Sequence, residues 1–160
     1  MRDMVDIPLA QRESVFEVEE GTALAPKFDE NGLIPVVTTD RKSGEVLMHG
    51  YMNKEALFLT IQNKEAYYWS RSRKSIWHKG KTSGLTQKVS SIRIDDDQDS
   101  IWLIVDVEGV GASCHVGYRS CFYRSISFES KNKVVLKFEE EEKLFDPEVV
   151  YEGQENPTKL

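Results

Sequence analysis

Apolar and polar residues alternate with a period of two along most of the chain, a pattern typical of β-strands with one buried face. The clearest example is residues 100–108, where one face is formed by Ile101, Leu103, Val105 and Val107. Trp102 and Ile104 also cover part of the opposite face. This strand is therefore predicted to lie at the centre of a sheet.

The same pattern predicts seven further strands, at residues 33–39, 45–52, 65–72, 75–80, 86–94, 121–129 and 133–139. The turn-forming segment 40–44 predicts that the first two form a hairpin. Asn53 is a good N-cap for a helix in which Leu57 and Ile61 share one face. The first 27 residues show little periodicity, and we expect them to wrap the surface. We expect the last four residues to fray.

These elements predict an α+β fold with a mostly antiparallel or mixed sheet and one or two short helices. Residues 1–160 contain no linker composition, so we expect a single domain. No apolar run approaches the roughly 20 residues of a membrane span, and the N-terminus lacks a signal-peptide core. A cytoplasmic location without membrane contact is expected, where a disulfide between Cys114 and Cys121 is disfavoured.

Charge is distributed unevenly along the chain. The net charge of −6 argues against a general nucleic-acid binder. Residues 66–94 nevertheless contain no Asp or Glu and carry seven Lys or Arg, while residues 95–99 contain four Asp. A cationic segment next to an anionic loop suggests an anionic ligand held close to a bound cation.

The acidic loop contains alternating carboxylates. In an extended chain Asp95, Asp97 and Asp99 would point to one side and Asp96 to the other. Three carboxylates on one side suit a hard ion such as Mg²⁺. A solvated turn remains the alternative interpretation, because Asp is also a favoured turn residue.

The two cysteines of the chain, Cys114 and Cys121, flank His115 with six intervening residues between them. Two thiolates, a third protein ligand and a water can form a catalytic zinc site. The spacing is not that of a zinc finger, and buried unreactive cysteines are an open alternative. A cysteine nucleophile paired with His115 is another.

Aromatic and basic residues are mixed in the segment 67–84, YYWSRSRKSIWHKGKTSG. Arg and Lys bind phosphate, and Tyr67, Tyr68, Trp69 or Trp77 can stack on a base. A solvated basic face over core aromatics, or an RNA-binding ribbon, would have the same composition. The uneven charge favours a phosphate site.

Four motifs in order, GYMNKEAL (50–57), segment 67–84, DDDQD (95–99) and CHVGYRSCFYR (114–124), resemble the phosphoribosyl-AMP cyclohydrolases of histidine biosynthesis. The resemblance covers about residues 28–129. It suggests the monofunctional bacterial form, without a fused pyrophosphohydrolase domain.

The resemblance implies a hydrolase that opens the adenine ring of phosphoribosyl-AMP between N1 and C6 by a zinc-bound hydroxide. It implies an intertwined homodimer with one Zn²⁺ per subunit and metal sites shared between chains, Cys114 and Cys121 being zinc ligands. His115 would be a general base or a further ligand, and Mg²⁺ would be bound by Asp95, Asp97 and Asp99. The substrate-binding residues would be Trp69, Ser70, Arg71, Arg73, Trp77, Lys79, Ser83, Gln87 and Arg119.

One position departs from the resemblance. The third zinc ligand of the family is a cysteine between the first two aspartates, and this chain has Asp96 there. A carboxylate binds zinc and leaves the formal ligand charge unchanged, but it is a harder ligand, so zinc affinity should fall. We expect Asp96 of a second chain to complete the site. The alternative is a non-catalytic or redirected paralogue that binds a phosphorylated nucleotide.

Overall fold

The computed structural model describes residues 6–160; the first five residues, at the start of the segment expected to wrap the surface, lie outside the described part. In chain order the elements are α1 (Val15–Glu20), β1 (Ile34–Asp40), β2 (Val46–Met52), α2 (Lys54–Asn63), β3 (Tyr67–Ser70), β4 (Ser75–His78), β5 (Gln87–Ile94), β6 (Ile101–Val107), β7 (Arg124–Ser130), β8 (Lys133–Phe138) and α3 (Pro147–Val150). All eight predicted strands are present, and the α+β class is confirmed.

The main sheet has four strands in the order β2-β1-β6-β5. β1 pairs antiparallel with β2, as the predicted hairpin requires, and parallel with β6. β5 pairs antiparallel with β6, so the sheet is mixed. β6 lies between two strands, and Ile101, Leu103 and Val105 are buried in the core. The prediction of a central strand is confirmed.

Helix α2 covers this core. The side chain of Asn53 accepts a hydrogen bond from Ala56 N at 2.8 Å, which is the predicted N-cap. Leu57 is buried and Ile61 packs against the same cluster. The hydroxyl of Thr60 accepts from Tyr67 N at 3.0 Å and so links the helix to β3.

The N-terminal and C-terminal segments each contain a short helix that the sequence pattern did not predict. α1 and α3 have no buried residues, so their sequences carry no apolar period. Both begin at capping side chains, Ser14 and Asp146. None of the helices within residues 6–160 is long and apolar enough to span a membrane.

Two hairpins, β3-β4 and β7-β8, lie outside the main sheet. In β7-β8, Ile126 pairs with Leu136, so the two side chains share a face with those of Val134 and Phe138. These four side chains remain 52–61% exposed. This surface is here named the hairpin face. It is the uncovered apolar side of a two-stranded sheet.

Candidate metal centres and anion-binding segment

The acidic loop joins β5 to β6 and brings three carboxylates together. Ligand atoms of Asp95, Asp97 and Asp99 all lie within 4.8 Å of one another. The chain turns here instead of being extended, because Asp95 Oδ1 accepts hydrogen bonds from Asp99 N and Ser100 N, each at 3.0 Å. Partial desolvation, then Asp97 and Asp95, raises the pKa of Asp99. A divalent cation would relieve this repulsion.

The N-terminal segment holds the acidic loop through Gln98. This residue is buried and has a left-handed φ of 56°. Its Oε1 accepts from Ala25 N at 2.8 Å and its Nε2 donates to Val18 O at 3.0 Å. Arg12 Nη2 donates to Asp97 O at 2.8 Å. The shape of the acidic loop therefore depends on residues more than 70 positions earlier in the chain.

Asp96 is exposed and borders a cavity of about 360 Å³ beside residues 21–24. Within residues 6–160, Asp95, Asp97 and Asp99 are the one group of three potential ligands whose atoms lie close enough together to share an ion. Asp96 of the same chain therefore does not join Cys114 and Cys121 in a three-ligand group.

The two thiols meet because the loop between them turns back. Cys114 N donates to Tyr118 O at 3.2 Å, and Cys121 N donates to Leu47 O on β2 at 2.7 Å. Cys114 is buried and Cys121 is exposed as a residue, yet each thiol shifts the pKa of the other. The loop of six intervening residues thus brings the two side chains close enough to interact, and they are here named the thiol pair.

The thiol pair has a strongly uneven affinity for protons. The neighbouring Cys121 thiol lowers the pKa of Cys114 to about 6, against the opposing effect of burial. The neighbouring Cys114 thiol, together with desolvation of the sulfur, raises the pKa of Cys121. The lowered pKa makes the thiolate of Cys114 easier to form than that of an isolated cysteine.

His115 follows the first thiol. Its Nε2 is buried and has no hydrogen-bond partner among the described residues. Burial lowers the pKa of His115, the charge of Lys79 lowers it further, and a side-chain hydrogen bond with Asn156 opposes both. The imidazole is therefore neutral at pH 7 and keeps a nitrogen available to accept a proton or bind a ligand.

Lys79 and Gln87, both expected to bind substrate, are buried and contact Ser113, the residue before Cys114. Lys79 Nζ donates to Ser113 O at 2.5 Å and lies 4.8 Å from the centre of the Trp77 ring. Burial lowers the pKa of Lys79, while Cys121 and Cys114 act in the opposite direction. Gln87 Nε2 donates to Ser113 Oγ at 3.0 Å.

Other expected substrate-binding residues lie on or after hairpin β3-β4. Arg71 and Arg73 are exposed, and their guanidinium groups lie over the rings of Tyr51 and Trp77 at 4.2 and 5.7 Å. These contacts hold the cations at the surface, where they can meet an anion. The half-buried members of the set are Trp69, Ser70, Trp77 and Ser83.

Arg119 already has a partner in this chain, since it forms an ion pair with Glu45. The carboxylate of Glu140 accepts hydrogen bonds from Arg119 N and Ser120 N at 2.8 and 3.0 Å. Glu140 thus anchors the cysteine loop. Glu140 belongs to a run of four Glu at 139–142, and nothing in the local sequence pattern assigns one of them to this loop.

The fold and the site define a class of α+β protein that carries oxygen ligands on one loop and sulfur ligands on another. The family model described as phosphoribosyl-AMP cyclohydrolase matches residues 48–123. A phosphoribosyl-AMP cyclohydrolase of Rhodopseudomonas palustris strain HaA2 is 53% identical over 135 residues, covering 84% of this chain and 90% of that protein.

Two further relatives carry the same name. That of R. palustris strain BisB18 is 48% identical over 144 residues, covering 90% of this chain and 97% of the relative. The relative from Sinorhizobium fredii is 51% identical over 135 residues, which cover 84% of this chain and 88% of the relative. The chain belongs to the phosphoribosyl-AMP cyclohydrolase family, which confirms the resemblance and the expectation of an enzyme.

Proposed function

We propose that this chain hydrolyses the bond between N1 and C6 of the adenine ring of phosphoribosyl-AMP, with zinc held by Cys114 and Cys121. The observation that carries the proposal is the thiol pair itself: two thiols close enough to shift each other's pKa, one of them next to a histidine whose Nε2 has no partner among the described residues. Membership of the family supports the substrate and the reaction.

The donor atoms fit the metals that the family resemblance implies. Thiolates suit zinc, and a thiol with a pKa of about 6 would readily release its proton to solvent when such an ion binds. The three carboxylates of the acidic loop suit Mg²⁺, which prefers oxygen ligands. Zinc in such a site supplies Lewis acidity that lowers the pKa of water to about 7.

Protein side chains perform the remaining tasks. His115 is neutral and accepts the proton of the attacking water, because its Nε2 is free and its pKa is lowered. Arg71 and Arg73 bind the substrate phosphates from the surface of β3-β4. Asp95, Asp97 and Asp99 would hold Mg²⁺, which would supply further positive charge for the phosphates. Trp69 or Trp77 stacks on the purine.

A second copy of the chain completes the site in this proposal. The thiol pair needs a third protein ligand, and we assign this role to Asp96 of the second copy. The hairpin face supports a homodimer, because a two-stranded sheet with an uncovered apolar side is marginally stable alone. The pairing of identical faces is the arrangement that twofold dimers use.

The experiment uses protein purified without chelators. Zinc and magnesium content is determined by elemental analysis, and ring opening of phosphoribosyl-AMP is followed by absorbance with each metal withheld in turn. Cys114→Ser and Cys121→Ser should each lose zinc and ring opening. Retention of zinc by both variants would remove the thiol pair from the proposal.

Asp96 favours one competing function, a paralogue that binds a phosphorylated nucleotide without opening the ring. Its signature would be saturable binding of phosphoribosyl-AMP by the wild-type protein with no absorbance change at any zinc concentration. An absorbance change that requires zinc rejects this alternative.

A further inference from the structure

Two buried polar side chains converge on the residue before Cys114. Lys79 and Gln87 are 3% and 0% exposed, so neither meets solvent. Lys79 Nζ donates to the carbonyl of Ser113 at 2.5 Å, and Gln87 Nε2 donates to its hydroxyl at 3.0 Å. Ser113 is therefore held at both its backbone and its side chain.

Gln87 is itself fixed from the sheet. Its Oε1 accepts a hydrogen bond from Tyr68 OH at 2.6 Å, and that hydroxyl lies 2.7 Å from the hydroxyl of Thr38 on β1. Its amide nitrogen also lies 3.3 Å from Met48 Sδ. A chain of buried contacts thus runs from the centre of the main sheet to the loop that carries Cys114.

The charge of Lys79 lacks a carboxylate partner. No Asp or Glu in residues 6–160 is paired with its ammonium, and the acidic groups that act on it are Cys121 and Cys114. A buried cation is costly without an anion nearby. Two thiolates and one carboxylate around a divalent cation would leave one excess negative charge, which this ammonium balances.

We propose that Lys79 and Gln87 are positioning residues of the metal centre: together they clamp Ser113, and thereby Cys114, and the amino group of Lys79 would balance the negative charge of metal-bound thiolates. They act behind the sulfurs rather than on substrate. This inference rests on the proposed function, in which the thiol pair binds zinc.

The test replaces zinc by Co²⁺ in the full-length protein, because cobalt bound to thiolate has a charge-transfer absorption band and its ligand-field bands report geometry. Lys79→Met and Gln87→Met should weaken Co²⁺ and Zn²⁺ binding by about 10-fold or more, the usual effect of losing a group that orients metal ligands. Both should shift the ligand-field bands. Lys42→Met, at an exposed lysine outside the site, is the matched control and should match the wild type.

A role in folding alone would leave the affinity and spectrum of the folded variants unchanged, and that result overturns the inference. Ser113→Ala provides a milder variant: it deletes the hydroxyl that Gln87 binds but keeps the carbonyl that Lys79 binds. It should weaken metal binding less than Lys79→Met, and a wild-type affinity would remove Gln87 from the clamp. Absence of the thiolate band in wild-type protein would instead reject the proposed zinc site and the inference with it.

Discussion

The thiols of Cys114 and Cys121 lie close enough to shift each other's pKa in opposite directions. The pKa of Cys114 falls to about 6 from an ordinary value of 9.0. Ionisation is thus easier in the folded chain than in the unfolded one. Metal-free protein should gain stability as pH rises from about 6 towards 9, and lose that contribution as pH falls through this range.

The ultraviolet absorbance of the thiolate measures this titration directly in metal-free protein. Cys121→Ala should move the transition to higher pH, since it removes the neighbouring thiol that lowers the pKa of Cys114. Cys114→Ala should abolish the transition near pH 6. A transition that survives in Cys114→Ala belongs to another group and contradicts the assignment.

The carboxylate at position 96 is predicted to limit zinc affinity. Asp96→Cys should raise zinc retention against a competing chelator and increase zinc-dependent ring opening, because thiolate is a softer ligand than carboxylate. Asp96→Ala should lower both. Equal zinc content in all three proteins would show that residue 96 is not a ligand.

The hairpin face is predicted to be the contact between subunits. Val134→Lys places a charge on this face and should shift the protein from dimer to monomer in analytical ultracentrifugation, with loss of zinc. Val135→Lys makes the same change one residue later, on the opposite face of β8, and should remain dimeric. Identical behaviour of the two variants would exclude this face as the interface.

The link between Gln98 and the N-terminal segment is predicted to control magnesium binding. Gln98→Ala removes hydrogen bonds to Ala25 and Val18 and should weaken Mg²⁺ binding in calorimetry. Arg12→Ala removes one hydrogen bond, to the carbonyl of Asp97, and should weaken Mg²⁺ binding less than Gln98→Ala. Unchanged affinity in both would show that the loop keeps its shape without the segment.

The hydroxyl of Tyr68 is predicted to stabilise the fold. Tyr68→Phe leaves the buried Oε1 of Gln87 without its donor, which should cost about 1–3 kcal/mol in the free energy of unfolding. Urea denaturation measures the loss. Tyr51→Phe, at a partly buried tyrosine outside this network, is the control and should change stability much less.

Local pattern predicted the strands, the first hairpin and the Asn53 cap because each depends on neighbouring residues. The parallel pairing of β1 with β6 was not predicted, since no turn joins strands so distant in sequence. Residue type identified the thiols and the carboxylates as candidate ligands.

Residue type did not reveal which cations were free to meet a ligand. In the sequence, Lys79 is one of seven positive charges in a basic segment, yet it is buried and donates to the carbonyl of Ser113. Arg119 forms an ion pair with Glu45. Both outcomes depend on tertiary neighbours. Burial of a charge becomes visible only when the fold brings its surroundings together.

The family match begins at residue 48, but the residues that grip Gln98 lie before it. A fragment restricted to residues 48–123 would keep every candidate metal ligand. It would lose the N-terminal segment whose hydrogen bonds to Gln98 hold the acidic loop. Expression work on this protein should therefore leave residues 12–25 in place and attach purification tags elsewhere.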